Sequence, residues 1–176
     1  MTFAELRKAD FGKKFHSRFA GEKIPTLEEM LDIVGGMEVV NIEIKRFGGD
    51  DVKVLNRFYQ ILSKRGLLKN TIVSSFDRDI LFELHQLHPD VCTCLLYGAP
   101  DGDMPEIALS LGCSAIHPQI EHLTQAVVDE AHAMGLKVNC WTPNIDLMLN
   151  RAVSFGCDGI ITNYPDRAYA AIVRAQ

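Results

Sequence analysis

From Thr26 to the C-terminal end, short apolar runs alternate with stretches whose apolar side chains recur every three to four positions. Thr26-Leu-Glu-Glu29 reads as a capping box, predicting a helix that runs to Val34 and stops at Gly35-Gly36. Val39 to Ile44 reads as a strand. Asp50-Asp51 then opens an amphipathic helix to Arg65, closed by Gly66. Thr71 to Ser74 is the next strand, and Asp77 caps a helix carrying Ile80, Leu81, Leu84 and Leu87 at helical spacing. The alternation continues with strand Val91–Tyr97, helix Asp103–Leu111 and strand Ser114–His117. Thr124 caps a helix ending at Gly135, and Lys137–Trp141 is a strand. Asn144 caps a helix ending at Gly156, Gly159–Thr162 is the last strand, and Pro165-Asp166 opens the final helix.

Six strands, each followed by a helix, require a parallel sheet with right-handed crossovers. An open doubly wound sheet and a (βα)8 barrel both satisfy that pattern. The open sheet usually carries a glycine-rich phosphate loop after its first strand, and none occurs here. A barrel places functional polar residues at the C-terminal ends of its strands. Such residues do stand there: Glu43 and Lys45, Ser74 and Ser75, Tyr97, His117, Trp141 and Thr142, and Asn163. The expected fold is α/β, a TIM-type barrel that is incomplete, with six of eight βα units present. No linker or low-complexity segment divides residues 1–176, so one domain is expected.

Period-two alternation puts Asn41, Glu43 and Lys45 on one face of the first strand. Burying a carboxylate and an ammonium without partners costs several kcal/mol, so a pair at buried positions needs a reason. A structural ion pair and an anion or metal site at a barrel mouth both supply one. The stretch Asn41–Lys45 by itself leaves the two open.

The remaining composition excludes several classes of partner. A net charge of −5 without a basic cluster gives nothing for nucleic acid or an anionic membrane to hold. Neither a signal core nor a membrane-spanning apolar run is present, so a cytoplasmic location is expected. Most of the five cysteines lie in apolar runs and read as buried free thiols. Cys92-x-Cys94 has the wrong spacing for a zinc or redox pair.

Five segments in order, Ile24-Pro-Thr-Leu-Glu-Glu, Asn41-Ile-Glu-Ile-Lys, Val73-Ser-Ser-Phe-Asp, Cys140-Trp-Thr-Pro-Asn and Gly156-Cys-Asp-Gly-Ile-Ile-Thr-Asn-Tyr-Pro-Asp, carry a family resemblance. Together they resemble the glycerophosphodiester phosphodiesterases, metal-dependent barrel enzymes that hydrolyse glycerophosphodiesters to an alcohol and glycerol 3-phosphate. The resemblance implies that Glu43 is a carboxylate ligand of Mg²⁺ or Ca²⁺ and that Lys45 faces the phosphate. It also implies that Trp141 walls the alcohol or glycerol side, and His117, after its strand, is a candidate for a substrate or supporting role. The family's His-Arg-Gly, Glu-x-Asp and His-Asp motifs are missing from this sequence, and with them both acid/base histidines and two metal carboxylates. His16 lacks the context of either motif. The sequence therefore implies the fold and ancestry of a hydrolase and leaves open whether this chain is an enzyme. The expectation is an N-terminally truncated barrel, inactive alone, with weak or no metal binding. The alternative is a non-catalytic module that binds a phosphate ester or self-associates through open barrel edges.

Overall fold

The computed structural model describes residues 1–46 and 48–175. The chain forms two compact units, Met1–Glu38 and Val39–Gln176. In the first unit, helices α1 (Phe3–Leu6) and α2 (Leu27–Val34) each begin in a full capping box, from Thr2 with Glu5 and from Thr26 with Glu29. Arg7 forks onto Glu29 at 2.8 and 3.2 Å and also reaches the Ile24 carbonyl. The intervening turn is built on Asp10, whose carboxylate accepts amide hydrogens from Gly12, Lys13 and Gly21. Gly12 is obligatory there, because a Cβ would stand 1.9 Å from the Phe19 carbonyl oxygen.

The second unit is a run of βα units. Its strands are β1 (Val40–Glu43), β2 (Thr71–Ser75), β3 (Cys92–Tyr97), β4 (Ala115–Pro118), β5 (Lys137–Trp141) and β6 (Gly159–Ile161). They pair in parallel and in sequence order, β1-β2-β3-β4-β5-β6. The connecting helices are α3 (Asp51–Lys64), α4 (Arg78–Leu87), α5 (Met104–Ser110), α6 (Gln125–Ala133) and α7 (Asp146–Ser154), with α8 (Pro165–Ala175) following β6. Asp50, Asp77, Asp103 and Thr124 cap α3 to α6 through their side chains, as their positions predict.

One face of the sheet packs on the helices. Leu95, Tyr97, Ile116, Val138 and Cys140 join Leu81, Met104, Ala108, Val128, Ala131 and Ala152 in the main core. The other face lines an interior. Val39, Asn41, Ile72, His117, Asn139, Gly159 and Ile161 surround one cavity of about 460 Å³, so both edge strands border the same space. A flat sheet could not bring β1 and β6 to one cavity; this one curls into a six-stranded parallel half-barrel, consistent with the TIM type.

Two local expectations are corrected. The α7 helix starts after Ile145 without a side-chain cap. Asn144 does not cap it: its Oδ1 instead accepts the Asn163 amide hydrogen at 3.0 Å and the Thr162 hydroxyl at 3.2 Å, fastening the end of β5 to the end of β6. The first strand is shorter than its apolar run, since Val39 lies outside it and is exposed. Among the described residues no helix is long and apolar enough to cross a membrane.

Candidate functional site

Glu43 is the last residue of β1, and Lys45 follows two positions on. Lys45 Nζ lies 3.6 Å from Glu43 Oε1. The pair is not buried: the lysine side chain is 76% exposed and the glutamate 35%. The burial argument drawn from the sequence fails because the alternation fixes a face, whereas exposure depends on what stands across the interior. The two line a pocket of about 330 Å³ with Arg46, Ser75, Phe76 and Asp77, at the C-terminal ends of β1 and β2.

The segment leaving β1 is fastened to the end of β2. The Ile44 amide donates to the Ser74 carbonyl at 2.9 Å, continuing the ladder one residue past the strand. The Ser75 hydroxyl donates to the Ile44 carbonyl at 2.7 Å and accepts the Asp77 amide hydrogen at 3.0 Å. Ser75 is thus a buried structural group of the pocket wall, and the buried Ser74 hydroxyl has no hydrogen-bond partner among the described residues. Arg46 reaches Asp51 at 3.2 Å, Asp79 at 3.0 Å and Asp77 at 3.5 Å, joining the loop after β1 to the first turns of α3 and α4.

Phe76 also borders a neighbouring cleft of about 520 Å³ at the ends of β2 and β3, with Tyr97, Met104, Arg78 and Asp101. Arg78 and Asp101 form an ion pair on its rim. Trp141, at the end of β5, meets Phe76 edge to face, with ring centroids 5.7 Å apart at 85°. Its indole Nε1–H donates to the His117 carbonyl at 2.8 Å.

His117 itself is fully buried in the interior. Its Nε2 lies 2.9 Å from Asn139 Nδ2, which makes Nε2 the acceptor and the ring neutral. Burial pushes its pKa down to about 4. Nδ1 has no partner. The sequence-predicted residues therefore divide. Glu43 and Lys45 share one pocket, Trp141 joins Phe76, and His117 lies beneath Trp141, bordering the inner cavity.

Sequence reasoning missed Arg46 and Phe76. Phe76 stood inside the quoted Val73–Asp77 motif, but no local signal says that its ring meets an indole three strands away. Two of the remaining histidines make side-chain contacts of their own. His88 stacks on Tyr59 at 3.8 Å and meets Asn56, while His132 contacts Asp158 at 2.8 Å.

Among the described residues no three His, Cys, Asp or Glu side chains gather as a metal site. Glu43 offers one carboxylate, already beside an ammonium, where Mg²⁺ or Ca²⁺ takes six or more oxygens. Glu43 suits one ligand position; the described residues do not fit a complete site.

The sequence model of the glycerophosphoryl diester phosphodiesterase family matches residues 1–167. The chain belongs to this family. A glycerophosphodiester phosphodiesterase from Caldanaerobacter subterraneus subsp. tengcongensis is 30% identical over 94% of the chain, and one from Bacillus subtilis is 29% identical over 94%. The chain spans 68% and 62% of those two relatives' own lengths. Among solved structures, an Oleispira antarctica phosphodiesterase in complex with the product sn-glycerol-3-phosphate superposes with a TM-score of 0.88. That match is 24% identical and covers 98% of this chain and 71% of the other, which shows the shared fold. In the phosphodiesterase family chain described here, the half-barrel and its C-terminal mouth are the common framework.

Proposed function

We propose that the chain carries the phosphate-facing part of a glycerophosphodiester phosphodiesterase site, within six of the barrel's eight βα units. The observation that carries this reading is the Glu43–Lys45 pair, at a strand end and opening into one pocket, in a chain of this family. Lys45 supplies a point charge to the phosphoryl oxygens. Glu43 supplies one carboxylate toward Mg²⁺ or Ca²⁺, a metal that would add charge stabilisation at phosphorus when its other ligands are present. Trp141 and Phe76 wall the alcohol or glycerol side. His117 supports Trp141 from below and presents a neutral ring to the interior. On this reading the chain's ancestry lies in glycerophospholipid metabolism.

The residues of this chain include neither the family's acid/base histidine pair nor its Glu-x-Asp carboxylates. Each missing acid/base group costs on the order of 10²–10⁴-fold in rate. The 176-residue polypeptide alone is therefore expected to be inactive, and activity requires a partner supplying those groups. The test is release of sn-glycerol 3-phosphate from a glycerophosphodiester with added Mg²⁺ or Ca²⁺. Release by the purified chain that Glu43→Gln abolishes would overturn the inactive reading.

A second reading, a non-catalytic phosphate-ester-binding or self-associating module, is favoured by the two edge strands around one cavity. Their unpaired backbone groups invite pairing with another chain. Sedimentation velocity across a concentration series tests it; a monomer at every concentration would remove the self-associating form.

A further inference from the structure

Lys45 has one ion-pair partner among the described residues, and its side chain is mostly exposed. A lysine in that setting loses considerable rotamer freedom when it holds an anion, so its stem must be presented by the backbone rather than by packing. The residues on either side of Lys45 are, by contrast, tied down. On one side the Ile44 amide and carbonyl are both bonded to the end of β2, the carbonyl through the Ser75 hydroxyl. On the other, Arg46, which lines the same pocket, uses Nε on Asp51 and Nη1 on Asp79 and Asp77, so its guanidinium is held by three carboxylates.

We propose that Arg46 and Ser75 are positioning residues for the anion-facing lysine. They clamp residues 44 and 46 from opposite sides and thereby fix where Lys45 Nζ stands over the mouth. The three carboxylates belong to the first turns of α3 and α4 or their caps, so the clamp refers Lys45 to the rigid helix layer. Arg46 suits this task because a planar fork can hold two acids at once, which an ammonium cannot. The inference rests on the phosphate-facing reading of Lys45 given above.

The experiment is a titration of the full chain with inorganic phosphate, followed by ¹H–¹⁵N NMR at the Lys45 amide, with the heteronuclear NOE of residues 44–46 as a second readout. Wild type is expected to shift saturably and Lys45→Ala to lose the response. Arg46→Ala and Ser75→Ala are each expected to weaken phosphate about tenfold and to lower the NOE at Lys45, with Arg46→Lys intermediate. Ser75→Ala changes no charge, so it separates positioning from electrostatics. If Arg46→Ala weakens binding while Ser75→Ala and the NOE stay at wild-type values, Arg46 acts by charge and the proposal is overturned. Unchanged binding in both variants overturns it as well. Absence of any response in wild type sinks the phosphate-facing reading itself, and this inference with it. Thermal unfolding of each variant establishes that it is folded.

Discussion

Phe76 and Trp141 stand nearly perpendicular, 5.7 Å between ring centroids, although one leaves β2 and the other ends β5. The contact is a chord across the curled sheet, and it depends on Trp141 being held by the His117 carbonyl. Trp141→Phe keeps the ring but removes the donor, and is expected to cost about 1 kcal/mol. Phe76→Ala removes a half-exposed ring and should cost about as little. Both variants should weaken binding of sn-glycerol 3-phosphate. Urea unfolding and calorimetric titration measure the two effects; unaltered ligand binding in both would separate the aromatic pair from the site.

His117 gives the fold a pH dependence with a definite sign. The imidazole is neutral when folded, with its pKa depressed to about 4 by burial, against about 6.5 when unfolded. Above pH 6.5 both states are neutral and stability is full. Between pH 6.5 and 4 the unfolded state takes up a proton that the folded state refuses, so stability falls by about 3 kcal/mol and then levels. His117→Gln should flatten the curve in that window, as read by urea midpoints at pH 7 and 4.5.

Asp158, just before β6, accepts hydrogen bonds from Lys137 Nζ at 2.7 Å, the Val138 amide at 2.9 Å and His132 Nε2 at 2.8 Å. Burial opposes ionisation of this carboxylate, but those donors outweigh it and hold its pKa below the ordinary value of 3.8. Its contribution is thus present above about pH 4 and disappears only in more acid solution, below the His117 window. Asp158→Asn should cost about 1–3 kcal/mol at neutral pH and soften acid unfolding. It stands at the N-terminal ends of the strands, where barrels keep stability rather than chemistry, so phosphate binding should be unchanged.

Glu43→Gln and Lys45→Ala should scarcely affect folding, because an exposed pair at 3.6 Å contributes about 0–1 kcal/mol. Lys45→Ala should nevertheless abolish phosphate binding. Large destabilisation with retained anion binding would mark the pair as structural, the alternative that the sequence left open.

The helix starts were legible because capping is local: a short polar side chain bonds an amide two or three residues on, as at Thr26, Asp50, Asp77, Asp103 and Thr124. Asn144 broke the rule through a long-range competitor, the Asn163 amide, which the local pattern cannot weigh. Strand order and the face of Glu43 followed from period and topology. Exposure of the Glu43–Lys45 pair did not, because it depends on what stands across the interior, nor did the reach of Arg46 to Asp79, 33 positions on. The same holds for the contact of the exposed His132 with Asp158, 26 positions on.

The strand order also bears on synthesis. Among the described residues each ribbon pairs only with its neighbours in sequence order, so a strand emerging from the ribosome finds its mate about 20–30 residues back, already made. Assembly can advance by accretion, one hairpin-free unit at a time, with no late visitor needed between existing strands. A ribosome-stalled series lengthened by one βα unit per step should acquire protease resistance in matching increments, rather than in a single jump at full length.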